Sequence, residues 1–310
     1  MLIFVVRRLG TMIMTMVVVS ILLFLLLEIN SSSVAIKVLG PYTSEEQRNL
    51  WLEAHGYFRP IYVRYFDWLG HFLIGDFGDS TRFKVPVGQM LWPRLASTGI
   101  LGLATMLVVI PLSLALGVLA GMREGSKLDR TISVSSIVTT SVPEFASAVV
   151  LSAFFVYYLD LLPGTSSMSD GFSLVQLILP AMVLVIYDFG YVTRMTRASM
   201  AEVMTAPYVR TAVLKGLPAH RVILRHALRN ALIPFVTVVA LQVPSLFTGA
   251  VITEAVFGWP GMGSLFLDGI EKGDYPRTMG ILVIASTLIV LFNLLADVLY
   301  GVLDPRIRYR

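Results

Sequence analysis

Four carboxylates lie within or at the ends of apolar runs: Glu144, Asp188, Glu254 and Asp297. An ionisable side chain carried into hydrocarbon is costly to desolvate, so each is a candidate for a solute pathway or a deliberate structural tie. Glu144 follows Pro143, and proline removes a backbone donor and kinks helices. The PEF run therefore reads either as a hinge or pathway site, or as an acid hydrogen-bonded to a neighbouring helix. Asp188 lies a turn or so from Arg194, which predicts an ion pair; facing a pore, it would attract a cationic part of a solute. Glu254 precedes Phe257-Gly258-Trp259-Pro260-Gly261, a cluster that predicts a tight external turn. Glu254 would fasten that turn by accepting backbone N–H bonds, so Glu254, Trp259, Pro260 and Gly261 are given a structural role. Asp297 and Asn293, one helical turn apart, predict interhelical hydrogen bonding.

Other chemistries lack their residues. The chain has no cysteine and four histidines, His55, His71, His220 and His226, none at metal-ligand spacing. No disulfide, thiolate site or metal centre is expected. There is no nucleophile elbow of the hydrolase type. There is no GxxxxGK[ST] phosphate loop either, so the chain is not expected to hydrolyse ATP.

The elements that must hold these acids are set by composition. Hydrophobic residues make up 56% of the chain and charged residues 14%, far below the roughly 25% charged share of soluble domains, so lipid is the expected solvent. Runs near the ~20 residues needed to cross a bilayer occur at 9–28, 97–121, 131–159, 173–193, 232–256 and 278–301. The fold expected is all-α with six membrane helices. The first run follows Arg7-Arg8, and the apolar stretch from Leu9 to Leu27 exceeds the core of a secretory signal, which predicts an uncleaved anchor.

Six spans place both termini on one side. Arg7, Arg8, Arg123, Lys127, Arg130, Arg306, Arg308 and Arg310 all fall on the side of the termini. So does the 194–231 loop, with Arg194, Arg197, Arg210, Lys215, Arg221, Arg225 and Arg229 against Glu202. The bias predicts cytoplasmic termini. The external segment 31–96 carries Thr43-Ser44-Glu45-Glu46, read as a capping box with Thr43 as the cap, and Gly56 as a helix stop. A second helix begins at Pro60, and its rings Tyr62, Tyr65, Phe66, Trp68 and Phe72 suit the membrane interface. The organisation expected is an anchor at 1–30, the external segment 31–96, a five-helix core at 97–304 containing the 194–231 loop, and a tail at 305–310.

Within that loop, YVRTAVLKGLPAHRVILRHALRN reads as helix, break, helix. Val209 to Leu214 forms the first, Gly216 stops it and Pro218 opens a second running through Arg229. Lying flat on the inner membrane face, it would either present a knob to a partner or bind anionic lipid.

YVRTAVLKGL followed by RHALRNALIP resembles the EAA loop of permease subunits of ATP-binding-cassette importers in the dipeptide, oligopeptide and nickel family. Gly216 stands at the fixed glycine, and Arg210, Thr211 and Ala212 stand where the wider superfamily has Glu-Ala-Ala. FVVRRLG, RYFDWLGHFLIGDFGDS, TRMTRASMAEVM, TEAVFGWPGMGSL with GDYP, and LDPRIRY are similar to family motifs and occur in the same order. Asn30-Ser31-Ser32-Ser33 departs from the Gly-Asp-Pro often found after the first span.

The resemblance implies an importer permease of type I architecture in a bacterial or archaeal cytoplasmic membrane. It also implies a loop docked in a cytoplasmic ATPase through Tyr208, Arg210, Thr211, Ala212, Lys215, Gly216 and Leu217. The implied partners are a second, homologous permease, two ATPases that bind ATP and Mg, and an external binding protein, with no nucleic acid. Peptides are the implied solute, with nickel, metal chelates and oligosaccharides the alternatives within the branch. An ion-coupled secondary transporter would need two similar halves, and no internal repeat is seen. A non-transport scaffold would leave the loop unexplained. Glu144 and Asp188 are the pathway candidates.

Overall fold

The computed structural model describes residues 2–28, 31–40, 42–169 and 171–303. The 305–310 tail and Asn30 lie outside them. The described residues are mostly helical: α1 (Leu2–Glu28), α2 (Ser31–Leu39), α3 (Glu45–Ala54), α4 (Ile61–Leu73), α5 (Val87–Met122), α6 (Lys127–Ser141), α7 (Glu144–Ser152), α8 (Leu174–Met204), α9 (Pro207–Leu214), α10 (Ala219–Arg221), α11 (Leu228–Phe257), α12 (Met262–Lys272) and α13 (Tyr275–Leu303). Two π-helical turns, Ala153–Tyr158 and Val222–Ala227, continue α7 and join α10 to α11. No strand forms among the described residues, only an isolated bridge between Asp79 and Pro86. In hydrocarbon every backbone N–H and C=O must be satisfied within the segment, which favours this solution.

Among the described residues, five helical stretches are long and apolar enough to cross a membrane, and two further pairs reach that length only as bent units. The expected span 131–159 is one of the pairs: α6 and α7 meet at 99° across Val142-Pro143. Proline at the break supplies no N–H to continue the ladder. The second pair is the end of α11, Ala250–Phe257, with α12, bent by 79°, so the segment after the fifth apolar run is a helix rather than a simple loop.

Helix ends exceed the apolar runs. α5 begins at Val87, ten residues before the expected start, because Val87 and Leu91 are buried in a cluster with Phe77, Met262, Leu265 and Ile281. α8 continues through Arg194 and Arg197 to Met204. Charged side chains end a hydropathy signal without breaking the backbone ladder, so the connection 194–231 is mostly helix.

The core is the crossing of α5 and α8, the most extensive pairing in the molecule. Gly117 and Gly121 sit one turn apart on α5, and a Cβ at either would collide with Thr196, Met200 and the carbonyls of Thr193 and Arg197. Small residues at this spacing let two helix backbones approach closely. At the end of the crossing Arg197 forms an ion pair with Asp129 of α6 and lies 3.7 Å from Glu124.

α1 runs antiparallel to α13. Phe24 packs with Met279 and Val283, and Arg8 lies 3.2 Å from Asp297. Asp297 therefore meets a base on α1. Beside them, Tyr65 of α4 is buried against Phe24 and Trp68 and shares a 2.8 Å hydrogen bond with Ser20. Tyr62 and Phe66 stay exposed. Arg64 pairs with Glu28 and stacks 4.3 Å over the Tyr57 ring. Burial pushes the Tyr57 phenol up to about 12. The cap of α3 is Ser44, which accepts from the Gln47 N–H, not Thr43. Thr43 instead donates to the carbonyls of Leu39 and Gly40, closing the preceding turn.

Candidate functional site

The residues singled out in sequence fall in three places along α11, whose 30 residues span roughly 45 Å at 1.5 Å per residue. At its first end is α9. Gly216 follows this helix with φ of 73°, a left-handed conformation that glycine adopts without a Cβ penalty. The backbone then turns through Pro218 into α10, which runs unbroken through the π-helical turn into α11. The expected helix after Pro218 is thus the root of the fifth apolar run.

α9 has two unlike faces. Val209 and Ala212 are buried with Met200, Val222, Ala227 and Ala231, and Leu217 packs against the same cluster. Ala212 and Leu217, expected on the docking surface, instead seat the helix; their small or branched apolar side chains fill the interior side. The outer face carries Tyr208, Arg210, Thr211 and Lys215, all exposed, with Leu214 at 79% exposure. Leu214 thus stands exposed between Arg210 and Lys215 on this outer face.

In the middle, Asp188 of α8 is 2% exposed and accepts a 2.9 Å bond from the Gln242 amide of α11. This corrects the expected pair with Arg194, whose Nε points at the Gly190 carbonyl of its own helix, 3.3 Å away. The reason is direction: α11 packs against the side of α8 that carries Asp188. Glu144 opens α7 beside the Val142-Pro143 break and accepts from the Thr253 hydroxyl of α11. Its carboxylate is an electrostatic neighbour of Asp188. The two acids thus meet α11 eleven residues apart, at Gln242 and at Thr253 next to Glu254, each accepting from one neutral side chain among the described residues. Gln242 and Thr253 were not singled out in the sequence, because nothing in their local pattern distinguishes them from ordinary helix residues.

At the far end of α11, Glu254 is fully buried. It accepts from the Thr98 hydroxyl at 2.5 Å, the Gly263 N–H at 2.7 Å and the Ser264 N–H at 3.1 Å. Thr98 in turn accepts from the Met262 N–H, and the Trp259 indole donates to the Ser97 carbonyl at 3.2 Å. A Cβ at Gly261 would fall on the Glu254 carboxylate. The turn 258–261 is therefore wrapped around one acid and fixed to α5. Nearby, Asp274 accepts from Ser80 at 2.5 Å and from the Thr81 N–H at 3.1 Å. The buried Arg277 guanidinium lies 2.8 Å from Asp268 and 5.2 Å from the Phe83 ring centroid. No group of three or more metal-ligating residues occurs among the described residues.

The model of the family described as "Binding-protein-dependent transport system inner membrane component" matches residues 113–309. The oligopeptide transport system permease protein AppB of Bacillus subtilis is 36% identical over 99% of each chain. A probable peptide ABC transporter permease, y4tP of Sinorhizobium fredii, is 37% identical over 99% of each. The dipeptide transport system permease protein DppB of Escherichia coli K12 is 34% identical, again over 99% of each.

Proposed function

The chain belongs to the binding-protein-dependent transport system inner membrane components, and on that premise we propose that it is the membrane-spanning permease subunit of an ATP-driven peptide importer. It is a multi-pass component of the inner membrane, and the full-length relatives are named for peptides, dipeptides and oligopeptides. In this reading both termini and α9 face the cytoplasm, in keeping with the distribution of Lys and Arg. A second permease, two ATPases that carry ATP and Mg, and an external binding protein complete the machine. This chain contributes the passage, and the absence of a phosphate-loop motif from its sequence fits an energy source in separate subunits.

The observation that carries the reading is the outer face of α9. Leu214, Tyr208, Arg210 and Lys215 project from a short helix whose inner face is locked to the roots of α8 and α11. A partner closing on that face moves both helices, and α11 reaches Asp188, Glu144 and Glu254 in turn. The fixed turn at Gly216 sets the angle at which α9 is presented. Solute passes near Glu144 and Asp188, where two carboxylates with neutral partners favour the ammonium group of a peptide. Trp259, Pro260 and Gly261 hold the external turn.

The test is ATP hydrolysis by the purified complex with and without binding protein, comparing wild type with Gly216→Asp. Stimulation lost by about tenfold or more, in a complex that still assembles, supports transmission through α9; an exposed non-glycine residue in this conformation costs only about 1 kcal/mol of folding. Unchanged stimulation removes α9 from the energy path.

A further inference from the structure

We infer that the groove between α1 and α13, beside Arg8 and Asp297, holds the headgroup of a zwitterionic phospholipid bearing a primary amine, with phosphate toward Arg8 and ammonium toward Asp297. The inference rests on α1 and α13 spanning the membrane. The groove has a volume of about 180 Å³ and is lined by Arg8, Thr11 and Thr15 on one helix and Asn293, Leu294 and Asp297 on the other.

Its depth is fixed by two rulers. Arg8 and Glu28 are 20 residues apart on α1, and Arg277 and Asp297 are 20 apart on α13. At 1.5 Å per residue each interval is about 30 Å, the thickness of the hydrocarbon layer. The far ends are more buried: Glu28 pairs with Arg64, and Arg277 is fully buried with Asp268 and Asp274. The near end is more exposed, Arg8 at 47% and Asp297 at 35%. A partly exposed ion pair at headgroup depth is complementary to a headgroup that also carries one charge of each sign.

The hydroxyls choose among headgroups. Thr11 donates to the Arg7 carbonyl and Thr15 to the Thr11 carbonyl. With their protons so used, both oxygens face the groove as acceptors. Acceptors beside a carboxylate favour a group with several N–H donors. Ethanolamine has such a group, choline has no N–H, and a glycerol headgroup leaves its one phosphate charge unbalanced, with no cation for Asp297.

The test is native mass spectrometry of the detergent-purified full complex, quantifying phosphatidylethanolamine, phosphatidylcholine and phosphatidylglycerol retained from nanodiscs of equal composition. Phosphatidylethanolamine retained about fivefold over the other two in wild type is expected, a discrimination of the size that one partly exposed ion pair supplies. Asp297→Asn removes the anion, and Asn293→Leu fills the groove while leaving the Arg8 and Asp297 pair intact; both are expected to abolish the preference. Equal retention of the three lipids, exclusion of all of them, or a preference that survives Asn293→Leu would overturn the assignment. Binding-protein-stimulated ATP hydrolysis of the wild type, measured in parallel, reports on the permease reading separately.

Discussion

The two ends of α11 handle polar groups in opposite ways. At the α12 end, Glu254 meets three donors and Gly261 leaves room for it, so both carboxylate oxygens are used internally. At the α9 end, the interior is apolar and the polar and apolar side chains of the outer face are turned out. The first arrangement is satisfied within the chain, and the second leaves its outer face exposed. Glu144 and Asp188 are intermediate in character, buried but each accepting from one neutral side chain among the described residues. A carboxylate inside this protein is therefore not by itself a sign of function; the number and charge of its partners sort the cases.

Breaking the closed end should have the largest effect. Glu254→Ala strips the partner from the Thr98 hydroxyl and two buried N–H groups, at about 1–3 kcal/mol for each group left unsatisfied. Loss of folded yield and a lower thermal midpoint in detergent are expected, and a stable, monodisperse variant would show that the turn is held by other contacts.

At the open end, Leu214→Ala and Arg210→Glu should leave the thermal midpoint within about 0.5 kcal/mol equivalent, as exposed substitutions do. Each should weaken binding to the ATPase by about tenfold, the Arg210 variant more strongly at low salt than at high. Titration of the purified partner at two ionic strengths reads both effects. A large stability loss from either change would erase the contrast between the ends.

For the middle pair, Glu144→Gln with Asp188→Asn keeps shape and hydrogen-bonding capacity. Uptake of cationic peptides in proteoliposomes should fall several-fold relative to anionic ones; identical uptake of both classes would remove these acids from the pathway. The smallest effect concerns Tyr57. Its phenol titrates near 10 unfolded and about 12 folded. The stability it contributes is fully present below pH 10 and is lost as pH rises toward 12. Tyr57→Phe should flatten the alkaline arm of a stability curve, and an unchanged arm would place the alkaline loss elsewhere.

Legibility from sequence followed range. Apolar runs located the long helices, and Gly216, Pro218, Gly56 and Pro60 marked helix ends, because each acts on its own backbone. Partners far along the chain were not readable. Asp188 was assigned to Arg194, six residues away, when its donor is Gln242, 54 residues away. Ser80 and Asp274, 194 residues apart, gave no local sign. On α9 the burial of Ala212 was not readable, since which side of a short helix is buried depends on the helices beneath it. The GVLAG run at 117–121 did carry a readable signal for the α5 and α8 crossing, in the spacing of its two glycines.

The 99° break at Val142-Pro143 also bears on how the protein is made. α6 has 15 residues, about 22 Å of helix, and is studded with Ser and Thr, while α7 with its π-helical turn is equally short. Neither half reaches across about 30 Å of hydrocarbon alone. Ser136 and Thr139 of α6 lie against Gly190 of α8, a helix that leaves the ribosome only afterwards. The bent third segment therefore gains this packing partner only once α8 has been synthesised.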